Sequence, residues 1–219
     1  MKIANKLLSL LFVLSIVVLT ITFSIGLPIY VRPFYYAHID ALGLDEAWGI
    51  EKEEIIEAYD EVLDFLTMDG REFGTGSLRF SENGKKHFED CKILFDLNKN
   101  AFFASLLIAA ALLLLNKLGV IELARPKDMP LSFFAGVGAL VLFASLAVIV
   151  AQDFRAAFTV FHTIFFPGKS NWKFNPNYDP IILFMPWQFF RNSAILICSS
   201  ILIISVVLII RGIRKKNKT

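Results

Sequence analysis

Leu7 to Pro28 reads LLSLLFVLSIVVLTITFSIGLP, a run without one acidic or basic side chain. A bilayer core roughly 30 Å thick is crossed by about 20 helical residues, each advancing about 1.5 Å. The run meets that length, and a helix is the form in which its backbone groups satisfy one another away from water. Three other stretches qualify. Pro130 to Ala151 is equally free of charge, and Asn192 to Ile210 is uncharged until it stops at Arg211. Ala101 to Ile121 holds a single charge, Lys117, close enough to its end to extend its stem toward the headgroups. A composition of 56% hydrophobic and 19% charged residues suits such a chain.

The predicted architecture is an all-α membrane protein with four transmembrane helices, an extracellular cap and cytoplasmic N and C termini. Its expected segments are a first transmembrane helix within 1–30, the cap at 31–100, a second span at 101–121 and a cytoplasmic loop at 122–129. A third span at 130–152, an aromatic-rich extracellular segment at 153–191, a fourth span at 192–210 and a basic cytoplasmic tail at 211–219 follow. Orientation comes from the cations, which are retained inside. Lys2 and Lys6 precede the first span, Lys117, Arg125 and Lys127 surround the second loop, and Arg211, Arg214, Lys215, Lys216 and Lys218 fill the tail. The cap carries 16 acids against 8 bases, a net −8 concealed within a total of +2. A cleaved signal peptide is the rival reading of the N-terminus, but the run is long and no small-x-small pattern precedes Pro28.

A total charge of +2 gives no nucleic-acid signal. Cys91 and Cys198 fall at different expected depths and are read as free thiols. The chain has no G-x-S-x-G, Walker A, H-E-x-x-H or paired C-x-x-C motif. Histidine chemistry is what remains.

Within the cap, Ile55, Ile56, Tyr59, Val62, Leu63 and Leu66 recur at helical spacing opposite Glu53, Glu54, Glu57, Asp60, Glu61 and Asp64. This predicts an amphipathic helix with a packing role. The glycine-rich run Arg71 to Phe80 predicts a loop or short hairpin. Ser81 stands where an N-cap should, opening a helix that passes Asp90 and Asn98 into the second span. On it His87 and Asp90 are three apart and share a face, with Cys91 one turn beyond His87. A carboxylate accepting from one ring nitrogen would fix the tautomer and leave the other free to move protons; a surface ion pair without consequence is the plain alternative.

From Phe158 to Phe190 there are 11 aromatics in 33 positions, against 14% for the chain. Headgroup anchoring is the plain reading of these rings, and a satisfied interfacial histidine that of His162; because anchoring explains Trp and Tyr at such a depth better than it explains this much Phe, an enclosed apolar space around His162 stands beside it. His38, in Tyr35-Tyr36-Ala37-His38, has Asp40 pointing elsewhere and is read as structural.

Two motifs together carry a resemblance. One is Phe80-Ser81 followed by His87-Phe88-Glu89-Asp90-Cys91-Lys92; the other is Phe161-His162-Thr163-Ile164-Phe165-Phe166 followed by Trp172, Pro176, Asp179, Pro186 and Phe189-Phe190. With the four-span layout, nearly the whole chain resembles the bacterial lipoprotein intramolecular transacylases. That resemblance implies a multi-pass enzyme of the bacterial cell membrane, capped on the extracellular face. It would move the sn-2 acyl chain of a lipoprotein's diacylglyceryl group onto the α-amino group of the N-terminal cysteine, giving the lyso form.

The implied partners are a diacylated lipoprotein N-terminus and membrane lipid, with no nucleic acid, no metal and no cofactor, and the chain acting as a monomer. His87 and His162 are the expected catalytic pair, one as base and one as acid, with Asp90 orienting His87. Phe161, Phe165, Phe166, Trp172, Tyr178, Asp179 and Trp187 are the expected substrate-binding residues. The family pattern carries a glutamate where this chain has Gly84 and an acid where it has Trp187. Two alternatives stand beside this reading: a non-catalytic membrane sensor or complex subunit with an acidic cap, and a metal enzyme using His87, His162, Asp90 and Asp179.

Overall fold

The computed structural model describes residues 3–217, so Lys2 and Lys218, two of the orienting cations, lie outside the described residues. The described chain is helical, with one isolated bridge between Thr75 and Ser77. In order, the helices are α1 (Ile3–Tyr30), α2 (Arg32–Leu42), α3 (Leu44–Trp48), α4 (Lys52–Thr67) and α5 (Glu82–Lys117). After a short 3-10 turn at Pro126–Asp128 come α6 (Leu131–Gln152), α7 (Phe154–Phe165), α8 (Ile181–Phe184) and α9 (Trp187–Lys216). Among the described residues, α1, α5 and α9 are long and apolar enough to cross a membrane. Helix α6 runs 22 residues, and its described apolar stretch is Leu131–Ala144.

Contacts divide the chain into two compact units. The first contains α1 as far as Leu27, Asn98–Ile149 and the chain from Ile195. Its helices expose much of their apolar surface, Leu107 and Ile203 among them. In water that surface would be costly, whereas hydrocarbon accommodates it. Polar side chains within α1 are satisfied locally: Ser15, Thr20, Thr22 and Ser24 donate to the carbonyls of Leu11, Ile16, Val18 and Thr20. Helices α6 and α9 approach closely at two glycines. A Cβ on Gly136 would lie 2.8 Å from the Ser205 carbonyl oxygen, and one on Gly212 would lie 2.7 Å from Phe133 Cβ.

The second unit contains Pro28–Leu97 and Val150–Ala194 and has a conventional buried core. Pro33 lies in the first turn of α2, a place where the missing N–H removes no helical bond. The amphipathic stripe is helix α4, which buries Ile55, Tyr59, Val62, Leu63 and Leu66. Tyr59 stacks on Tyr35 of α2 with ring centroids 3.5 Å apart, and the Tyr35 hydroxyl donates to the Phe184 carbonyl of α8 at 2.9 Å. Acids on the other face of α4 also dock α2. Arg32 pairs with Asp60 at 3.1 Å and with Asp64, and the Tyr36 hydroxyl donates to Asp60 at 2.8 Å. The glycine-rich run forms a loop fastened to α4, where the Gly76 N–H donates to Glu61 at 2.7 Å.

Candidate active site

His87 lies in the second turn of α5, whose start is held twice. The Ser81 hydroxyl accepts from the Gly84 N–H at 3.0 Å, which is the N-cap the sequence predicts. Asp179 then accepts from the Ser81 N–H at 2.7 Å and from its hydroxyl at 2.8 Å. This carboxylate ties the beginning of α5 to the segment before α8. Gly84 follows from the same contact. A Cβ there would stand 2.3 Å from Asp179 Oδ1, so position 84 has no room for a side chain while the tether is made.

His162 is in the last turn of α7, a helix capped by Asp153, which accepts from the N–H groups of Arg155 and Ala156. The two imidazoles meet. Their centroids are 5.8 Å apart and their planes 30° apart, and they are only 5% (His87) and 6% (His162) exposed. Phe166 lies against both, at 5.0 Å from His87 and 5.6 Å from His162. Phe174 meets His87 edge-on at 5.4 Å, and Trp172 lies 4.6 Å from His162.

Each ring has one nitrogen committed. His162 Nδ1–H donates to the Phe158 carbonyl at 2.7 Å, which leaves Nε2 as the acceptor of a neutral imidazole. His87 Nε2 lies 3.4 Å from Cys91 Sγ, while its Nδ1 is buried with no hydrogen-bond partner. Buried polar atoms are rarely left so, which sets this nitrogen apart from the others of the three histidines. Burial, reinforced by the neighbouring His162 and by Lys169 and opposed by Asp90, pushes the His87 pKa down to about 4. Burial also lowers His162, with the Phe158 carbonyl pulling the other way. The Cys91 thiol is pushed up to about 12 by burial and then by Asp90, so it stays protonated.

The expected supporting and binding residues separate into groups. Asp90 is beside His87 but does not accept from its ring: Lys169 donates to one carboxylate oxygen at 2.5 Å and Asn171 to the other at 3.1 Å. Orientation of His87 by a direct Asp90 hydrogen bond is therefore corrected. Those two donors outweigh burial and hold the Asp90 carboxyl below its usual range. Phe166 and Trp172 line the imidazole pair, and Asp179 accepts from Ser81.

Phe161 and Phe165 pack on each other at 4.6 Å and are half exposed, continuing an apolar face with Val160 and Ile164. Tyr178 is exposed, and Trp187 is flanked by the Arg155 and Arg191 guanidinium groups, each 5.0 Å from its ring. Phe158, Phe174, Lys169 and Asn171 were not singled out from sequence. Phe158 was within reach, being one helical turn before His162; nothing in the spacing of the other three announces their contacts. Among the described residues no group of three His, Cys, Asp or Glu could hold a metal ion.

His38 is buried as well, but both its nitrogens are used: Nδ1 with the Phe34 carbonyl at 2.7 Å and Nε2 with the Asn192 amide at 3.0 Å. Asp40 pairs instead with Lys52.

Residues 10–190 match the family described as lipoprotein intramolecular transacylase Lit. The chain belongs to that family. Lit is a family of acyl-transferring enzymes, so the chain is placed among enzymes. Its fold is similar to the structure of the membrane-integral lipoprotein intramolecular transacylase Lit from Bacillus cereus, with a TM-score of 0.87 at 24% identity, covering 99% of each chain. A structure of that Lit with a histidine replaced by arginine is similar with a TM-score of 0.80 at 24% identity, over 98% of this chain and 93% of the other. One with alanine there also gives 0.80 at 24% identity, over 99% and 96%. No curated protein matches the chain.

Proposed function

We propose that this chain transfers the sn-2 acyl group of a diacylated lipoprotein to the α-amino group of its N-terminal cysteine, with His87 and His162 handling the proton. In this reading α6 is a fourth span, both termini are cytoplasmic, and the cap, 31–100 with 153–191, works on the extracellular side as part of a monomer. The observation that carries the proposal is the buried imidazole pair, 5.8 Å apart and walled by Phe166, Phe174 and Trp172, with one ring nitrogen unpartnered.

The hydrogen bonds suggest a division of labour. His162 has only Nε2 free and acts as the base: it takes the proton that the amine loses as the C–N bond forms. The same proton goes to the glycerol oxygen as the ester C–O bond breaks, so an ester becomes an amide and no enzyme group changes state. The protonated Cys91 thiol can donate to His87 Nε2, which leaves Nδ1–H to bind the carbonyl oxygen as it gains charge. Both imidazoles are neutral at pH 7 because burial disfavours a cation, so the base is ready without prior deprotonation.

Attack closes a medium-sized ring of substrate atoms, an entropically awkward step. Fixing such reactants in an attack geometry supplies roughly 7–11 kcal/mol, and the aromatic walls provide the restraint. The exposed face of Val160, Phe161, Ile164 and Phe165 gives acyl chains an apolar approach to α7.

The test uses purified protein and a synthetic diacylated lipopeptide. Transfer leaves the substrate mass unchanged, so fragment spectra must show the acyl group moved from glycerol to nitrogen. Replacing His162 or His87 by alanine is expected to reduce conversion about 10²–10⁴-fold; full conversion by either variant removes that residue from the mechanism.

A further inference from the structure

Beside the imidazole pair lies a cleft of about 500 Å³ whose lining is of a different kind: Ser81, Asn83, Asn171 and Asn175, with lysines and carboxylates between them. Two residues connect it with the histidines. Phe174 lines the cleft and also meets the His87 ring at 5.4 Å; Asp90 lines it one helical turn from His87. Acyl chains have no reason to enter such a polar space. Asn171, one of its lining residues, is held by its amide N–H, which donates to Asp90 at 3.1 Å. A peptide backbone offers both the N–H donors and the carbonyl acceptors that a lining of amides, hydroxyls, carboxylates and ammonium groups pairs with.

We propose that this cleft binds the peptide that follows the lipid-modified cysteine, its backbone groups pairing with the Ser81, Asn83, Asn171 and Asn175 side chains that line it. The inference rests on the acyl-transfer reading above and extends it from the reacting atoms to the protein part of the substrate. A substrate whose N-terminal amine reaches the imidazoles must carry its polypeptide away from them, and a polar channel sharing a wall with His87 provides the route. Amide and hydroxyl groups suit backbone recognition without demanding one sequence. Asp90 takes a second meaning here: through Asn171 and Lys169 it holds the floor of the peptide channel.

The experiment compares two substrates, a diacylglyceryl-cysteine methylamide with no further residues and a lipopeptide with several. In the wild type the lipopeptide is expected to show a kcat/KM about tenfold higher, carried by KM, in line with one or two added hydrogen bonds. Asn83 is an exposed helical position at the cleft's edge, and Asn83→Trp should obstruct the channel. In that variant the ratio between substrates should fall toward one.

Equal kcat/KM for both substrates in the wild type overturns the peptide site alone. A ratio unchanged in Asn83→Trp, or an equal loss on both substrates, overturns it too. If glycerophosphate competes with the lipopeptide and an unmodified peptide does not, the cleft is a headgroup site and the proposal fails. Failure of the wild type to convert either substrate overturns the acyl-transfer reading, and this inference with it.

Discussion

The surroundings of His38 and those of the His87–His162 pair look alike by burial and composition: all three imidazoles are buried and pressed against phenylalanine. Their hydrogen bonds differ. At His38 both nitrogens are satisfied within the fold, linking α2 to the first turns of α9. At the pair, one nitrogen of each ring is spent on orientation and the other is not, and His162 adds to the burial that lowers the readiness of His87 to hold a proton. Burial by itself says little about role. An incomplete set of polar partners beside a second titratable group says much more.

The sharpest way to break this contrast is to remove each histidine in turn. His162→Gln, which keeps a polar side chain of similar reach, should lower turnover by two to four orders of magnitude, far more than any accompanying loss of folded fraction. His38→Leu should do the reverse, costing about 1–3 kcal/mol by leaving the Asn192 amide unpartnered while the folded fraction stays active. Thermal unfolding in detergent measured beside single-turnover conversion separates the two. If His38→Leu lost turnover and kept its stability, the distinction would collapse.

A smaller effect is expected from pH. His87 has a pKa of about 4 in the folded chain against 6.5 ordinarily, so the unfolded chain binds this proton more readily. Its contribution to stability is complete above pH 6.5 and disappears as pH falls from 6.5 toward 4, at most about 3 kcal/mol. The pH dependence of Tm across that window should be steeper in the wild type than in His87→Gln; parallel curves would count against a depressed His87.

The smallest effect should come from Cys91. Cys91→Ala removes the partner of His87 Nε2 and is expected to lower kcat about 2–10-fold with KM kept, while Cys91→Ser recovers part of the loss. A change in KM alone would assign the thiol to packing.

The long apolar runs, the stripe on α4 and the Ser81 cap were legible because each is a local pattern: hydropathy length, helical period and a side chain near its own backbone. The candidate pair was legible only in part. His87 and His162 could be named because few other groups in the chain offer proton chemistry, and their motifs resemble one family. Asp90 shows the limit. Its spacing from His87 pointed to an i, i+3 contact, yet Lys169 and Asn171, about eighty residues downstream, take its oxygens. Asp179 is a second case: its hold on Ser81, across 98 positions, has no signal in the spacing of the sequence.

Sequence by itself determined where the long apolar helices and the α4 stripe lie, which surfaces are too apolar for water and which few residues can move a proton, because hydropathy and side-chain chemistry are properties of neighbours along the chain; α2, α3, α7 and α8 were not legible there. Tertiary structure alone decided which nitrogen of each histidine remains free, why Gly84 has no side chain and where a polar cleft opens beside the rings. Those outcomes depend on angstrom-scale contacts between groups distant in sequence, and hydrogen bonds and burial are settled only when such groups compete for the same space.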